Sequence, residues 1–153
     1  MLLRPAAQAL RQPALWPAAA CFAKRISLIA GGTGITPCWQ VIRAVCSDPE
    51  DDTQVALIYA NQTVDDILLR PELEALAAAR PSNFRLWYTC DRGLPEDWAH
   101  GTGHINLEMI SDHLLAPGPE SIVAMCGPPG MIKFACLPNL EKLGHAPEAM
   151  IQF

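Results

Sequence analysis

A chain of 153 residues, half of them hydrophobic and 18% charged, is long enough for one domain with a real core. The formal net charge of −5 disfavours a nucleic-acid partner, and no apolar run is long enough to predict a transmembrane helix. The charge is unevenly spread: residues 1–47 carry +5 and no acid, and the remainder carries −10.

Residues 1–21 hold Ala, Leu, Pro and two arginines. An acid-free, arginine-bearing start resembles an organelle transit peptide, although Pro5, Pro13 and Pro17 interrupt the amphipathic helix such peptides form. An unstructured leader is the alternative, and residues 22–153 are expected to form the folded domain. From Ile26 the texture alternates. Ile26–Ala30 reads as a buried strand closed by glycines, and Pro37 suits the first turn of a helix that puts Val41, Ile42 and Val45 on one face. Gln54–Ala60 is a second strand, followed by a polar connection from Asn61 to Asp66 and a helix through Leu73, Leu76 and Ala77. Phe84–Cys90 is a third strand. The glycine-bearing stretch from Asp91 to Gly103 is expected to be a loop, and Asn106 to cap a short helix carrying Met109, Ile110 and Leu114. Ser121–Cys126 is a fourth strand. Pro128 and Pro129 then open a helix expected to turn Met131, Phe134, Ala135 and Leu140 inward, and Ala149–Phe153 closes the sheet as an edge strand. This alternation predicts an α/β fold: an open parallel sheet of about five strands with helices on both faces.

Right-handed crossovers put every strand's carboxyl end on one edge, where such sheets bind ligands. Three segments fall there. In Gly31-Gly32-Thr33-Gly34-Ile35-Thr36-Pro37, glycines let the backbone turn and approach an anion, the following helix offers unpaired N–H groups, and Thr33 and Thr36 add hydroxyls. The stretch departs from G-x-G-x-x-G in its last position, so a plain strand-to-helix turn also suits it. Cys126-Gly127-Pro128 pairs a small thiol with a close-approach glycine; Cys126 is either a packing residue or a neighbour of a nicotinamide ring. Asp91, just past the third strand, can accept from an adenosine ribose and repel a 2′-phosphate, or simply shape a turn before Arg92-Gly93.

The six cysteines, Cys21, Cys38, Cys46, Cys90, Cys126 and Cys136, form no C-x-x-C pair and suit free thiols in a reducing, intracellular compartment. Gly101 and Gly103, between His100 and His104, keep the two imidazoles off a common helical face, so no metal site is expected.

Taken together, IAGGTGITP (Ile29–Pro37), QVIRAV (Gln40–Val45), ANQTVDDILLRPELE (Ala60–Glu74), LWYTCDR (Leu86–Arg92) and MCGPPGMIKFACLPNLEKLGH (Met125–His145) resemble the NAD-binding lobe of the ferredoxin-reductase-like flavoenzymes, in particular the NADH–cytochrome b5 reductase family. The corresponding lobe of eukaryotic nitrate reductase is similar too, with Trp39 leaning that way. The resemblance implies that Gly31, Gly32, Thr33 and Gly34 line the dinucleotide pyrophosphate, and that Thr36, beside Pro37, reaches towards the junction of FAD and nicotinamide. Asn61, Gln62 and Asp66 would border the adenosine. Asp91 would select NADH, and Cys126, Gly127 and Pro128 would lie beside the nicotinamide, with Cys126 and Thr36 nearest the chemistry. It further implies hydride transfer from NADH to FAD, cytochrome b5 as the electron acceptor, and a place on the endoplasmic reticulum or outer mitochondrial membrane. The family's FAD-binding β-barrel motif does not occur in the sequence, so the chain alone is expected to hold NADH without turning it over. Gly130 stands where the family has a third proline, Cys38 replaces a methionine, and Val64 replaces a polar residue.

Overall fold

A computed structural model describes residues 23–153; the leader over residues 1–21, Phe22 and Cys21 lie outside the described residues. Six strands form a single parallel sheet: β1 (Arg25–Gly31), β2 (Gln54–Asn61), β3 (Phe84–Cys90), β4 (Gly101–Thr102), β5 (Ser121–Cys126) and β6 (Met150–Gln152), in the order β4-β3-β2-β1-β5-β6. The helices are α1 (Ile35–Cys46), α2 (Arg70–Ala79), α3 (Leu107–His113) and α4 (Leu137–Lys142), the last entered through a widened π-helical turn over Met131–Cys136.

Side chains alternate between the two faces of a strand, and here each face has its own core. On one face Ile26, Leu28 and Ala30 of β1 join Val55, Leu57 and Tyr59 of β2 under α1 and α2. On the other, Ile29, Ala56, Ile58, Val123 and Met125 pack against Ile110 of α3 and Ile132, Cys136 and Leu140 of the last helix. Burial on both faces explains why β1 and β5 read as unbroken apolar runs. Ser27 is the one polar side chain of β1's buried run, and its hydroxyl is used: it accepts from the Leu115 N–H at 3.0 Å.

The sheet differs from the sequence expectation by one strand. β4 has two residues, too few to show any side-chain period, and tertiary bonds make it. The Trp98 indole donates to the Gly101 carbonyl at 2.9 Å, the Thr89 hydroxyl donates to the Gly103 carbonyl at 2.6 Å, and Met109 and Thr89 close on Gly101 so tightly that a side chain there would collide. A second correction concerns the last helix. Phe134 is 73% exposed, not inward, because the helix meets the sheet along Ile132, Cys136 and Leu140, one every four residues through the widened turn. Elsewhere the local readings hold: Asn106 caps α3 by accepting from the Met109 N–H at 2.9 Å, and Val41, Ile42 and Val45 are buried.

One consequence of the order positions the site. From β1 the chain runs outward through β2, β3 and β4, then returns to the other side of β1 with β5 and β6. The loops leaving β1 and β5 therefore diverge to opposite faces, which opens a crevice between their carboxyl ends.

Candidate functional site

The crevice is an open cleft of about 490 Å³ lined by Gly31 to Gly34 from β1 and Cys126 to Pro128 from β5. Its β1 wall is a single 3₁₀ turn, Gly32–Gly34, running into α1. Gly32 has φ +55°, a left-handed conformation open only to glycine at low cost, and nothing stands within 4 Å of the place a side chain would take. Gly32 is also one of the residues that line the cleft. Gly34 is required for the opposite reason: a Cβ would collide with the Cys126 carbonyl of β5. The start of α1 thus lies directly on the end of β5. Of the four glycines expected to admit a ligand, Gly32 alone stands in open space, while Gly31, Gly34 and Gly127 let protein segments touch.

The polar groups of the turn are ordered from within. The Thr36 hydroxyl donates to the Thr33 carbonyl at 2.8 Å, so its proton is spent on the turn itself. The Tyr59 hydroxyl, from β2, donates to the Gly32 carbonyl at 2.8 Å. Tyr59 is fully buried, and burial raises its pKa, while the main chain of Leu68 and the side chain of Asn61 beside the phenol oxygen pull the other way. The first turn of α1 carries no acidic residue and no side-chain cap. The Ile35 N–H is used on the carbonyls of the preceding turn and Pro37 has none, so the donors left for an anion are the N–H groups of the Gly32–Gly34 turn, at the positive dipole end of the helical segment.

On the β5 wall Cys126 is half-buried at the strand end. Cys38, one turn into α1, is fully buried, and its thiol is pushed up to about 12, first by burial and then by the nearby Cys126. The Met131 side chain fills the gap between the two walls, touching the faces where Gly31 and Gly127 lack side chains.

Asn61, Gln62, Asp66 and Asp91 gather in a second cluster at the carboxyl ends of β2 and β3. The Gln62 carbonyl accepts from the N–H groups of Asp91 at 3.1 Å and Arg92 at 3.0 Å, and its side-chain oxygen accepts from the Arg92 guanidinium at 3.2 Å. Asp66 closes a capping box, its Oδ2 accepting from the Thr63 N–H at 3.0 Å and hydroxyl at 2.7 Å. Asp91 is exposed, with His104 Nε2 3.9 Å from its Oδ1. The structure thus brings the sequence-derived residues together in two groups, a cradle on β1 and β5 and a rim on β2 and β3. Tyr59 and Met131 escaped sequence reasoning as site residues. The available signal for Tyr59 was a phenol at the end of an aliphatic strand, since a buried hydroxyl needs a partner.

A doubly wound parallel sheet with a glycine-lined anion cradle at its switch point defines a dinucleotide-binding domain. The chain belongs to the oxidoreductase NAD-binding domain family, whose model matches residues 28–137. It is 56% identical over 130 residues to NADH-cytochrome b5 reductase 3 of Rattus norvegicus, covering 85% of this chain and 43% of that protein. Identity to an NADH nitrate reductase of Volvox carteri is 50% over 132 residues, 86% of this chain and 15% of that one. Among solved structures, the cytochrome b5 reductase domain of Ulva prolifera nitrate reductase superposes with a TM-score of 0.82 at 51% identity, covering 86% of this chain and 50% of that chain. The chain therefore spans under half the length of the curated reductases it matches, and the part it spans is their NAD-binding region. Both likenesses seen in the sequence, to the b5 reductases and to nitrate reductase, are recovered. Among the described residues no helix is long and apolar enough to cross a membrane.

Proposed function

We propose that this chain is the NADH-binding part of an NADH–cytochrome b5 reductase, holding the dinucleotide across the ends of β1, β2, β3 and β5. The observation that carries the reading is the cradle: a left-handed glycine open to the cleft beside an acid-free, uncapped helix start. Gly31 to Gly34 hold the pyrophosphate, Pro37 fixes the first turn of α1, and Asn61, Gln62 and Asp66 shape the adenosine side. Asp91, exposed at the end of β3, accepts from the ribose and disfavours NADPH. Cys126, Gly127 and Pro128 border the nicotinamide, with Thr36 across the cleft. Bound NADH supplies a hydride from its nicotinamide; the protein's part is orientation and exclusion of water.

The acceptor is FAD, and cytochrome b5 takes the electrons onward. A second cavity, of about 290 Å³, lies at the opposite end of the sheet between Gln54, Pro81 and Arg85. It is too small for a dinucleotide. The cleft residues fit the pyrophosphate and nicotinamide of NADH, and FAD would supply the hydride acceptor beside them. The 153-residue chain alone is accordingly expected to bind NADH and to show no NADH–ferricyanide turnover. The buried free thiols suit a reducing compartment, and the family's membranes, the endoplasmic reticulum and outer mitochondrial membrane, are the proposed location. Calorimetric titration tests the central reading: saturable NADH binding, with NADPH weaker, is the expected result. Absence of binding would overturn it. Tight yellow flavin and robust turnover by the chain alone would refute the division of labour.

A further inference from the structure

The Tyr59 phenol is buried in the core under α1, yet its hydroxyl reaches out of β2 to the Gly32 carbonyl at 2.8 Å. In a trans peptide the C=O and the following N–H point in opposite directions. A Gly32 carbonyl tied towards β2 therefore turns the Thr33 N–H away from β2. Strand order says what lies that way: β1 stands between β2 and β5, and the cleft opens on the β5 side. The same logic applies one residue on, where the Thr36 hydroxyl holds the Thr33 carbonyl at 2.8 Å and so orients the Gly34 N–H. The left-handed φ of +55° at Gly32 lets the chain accept this peptide orientation, and no protein atom approaches Gly32 on its side-chain face.

We infer that Tyr59 is a positioning residue for the dinucleotide pyrophosphate, its buried hydroxyl locking the Gly32–Thr33 peptide so that the Thr33 N–H donates into the cleft. The alternative peptide orientation would present a carbonyl oxygen to the anion and repel it. Within the turn the Ile35 N–H also donates to the Gly32 carbonyl. Glycine permits both orientations, and the buried phenol adds a second donor from outside the turn that holds the chosen one before the ligand arrives. Such preorganisation acts on binding without touching the ligand.

This inference rests on the NADH reading, and the test separates the two. NAD⁺ and adenosine are titrated into the 153-residue chain and into Tyr59→Phe, which keeps the ring and removes the hydroxyl. Loss of one hydrogen bond predicts NAD⁺ affinity weaker by roughly three- to tenfold. Affinity for adenosine, which has no pyrophosphate, is expected to stay unchanged. A general loosening of the fold would weaken both. In the unsubstituted chain, the Thr33 amide resonance is expected to shift on saturation with NAD⁺, and to shift less in Tyr59→Phe. Unchanged NAD⁺ affinity in a folded Tyr59→Phe, or a Thr33 amide blind to bound NAD⁺ in the unsubstituted chain, would sink this inference while leaving the nucleotide reading intact. No NAD⁺ binding by the unsubstituted chain would overturn both.

Discussion

The cradle on β1 and β5 and the rim on β2 and β3 sit on the same sheet edge but are built differently. The cradle is set by close packing that is at least partly buried: Gly34 against the Cys126 carbonyl, Met131 between two glycine faces, and the fully buried Tyr59 ring behind Gly32. The rim is held by polar bonds at the surface, among them the Thr63–Asp66 capping box and the Gln62–Arg92 contact. Buried contacts in a packed interior admit almost no variation, whereas exposed polar bonds compete with water and can be exchanged. The cradle should therefore supply a fixed shape for the shared part of the ligand, and the rim should carry what distinguishes one dinucleotide from another.

The sharpest way to break the contrast is Gly34→Ala. The added methyl meets backbone of β5, which cannot move aside as a flexible side chain can, so a loss of about 3 kcal/mol in urea unfolding is expected, with NAD⁺ binding abolished. A stable variant that still binds would show that the two walls are not in rigid contact. At the rim, Asp91→Thr should leave stability within about 0.5 kcal/mol, as for most exposed positions. It should narrow the preference for NADH over NADPH by roughly tenfold or more, the value of a hydrogen bond to a charged group. An unchanged ratio of dissociation constants would remove Asp91 from the specificity role.

Acid should separate the two regions without mutation. His100 packs edge-on against Trp87 and Tyr88, and His113 stacks on Trp87 with ring centroids 3.7 Å apart, all of it around β3. Burial lowers the pKa of both histidines. A group whose pKa is lower folded than unfolded binds more protons when unfolded. Its contribution is therefore complete above the unfolded value, near 6.5, and is lost as pH falls below it. Between about pH 7 and pH 5, amide hydrogens of β3 should lose exchange protection before those of β1, with a change in Trp87 fluorescence. Simultaneous loss across the sheet would contradict this. The smallest effect concerns the cleft's thiol. At pH 8 Cys38 and Cys136, both pushed up to about 12 by burial, should resist alkylation, while half-buried Cys126 reacts first among the described cysteines. Bound NAD⁺ should slow that reaction, read by peptide mass mapping; no protection would place the nicotinamide end elsewhere.

How much of this was legible in the sequence depends on whether a feature is local. Asn106 announced its cap on α3 because the bond it makes lies three residues away. The strands β1, β2, β3 and β5 announced themselves because both of their faces are buried. Phe134 misled because helical spacing alone does not say which turn widens, and the two-residue β4 was invisible because tertiary contacts, among them those of Trp98 and Thr89, fold it onto β3. The rim was recognised as a set of residues by resemblance, but their bonds to one another, across about thirty positions between Gln62 and Arg92, could not be read from spacing.

By itself the sequence determined the α/β alternation, the glycine turn after β1, the Cys126-Gly127-Pro128 turn after β5, and membership of an NAD-binding family. These are carried by periodicity, by residues with special backbone chemistry and by motifs in fixed order. Tertiary structure alone decided that the two turns face each other at the switch between β1 and β5, and that Gly34 is needed for protein contact and Gly32 for the open cleft. It alone brought Tyr59, twenty-seven residues beyond Gly32, to the carbonyl of the turn. The physical reason is common to all three. A strand order places neighbours by packing, not by sequence, and a buried hydroxyl takes whichever acceptor the fold delivers.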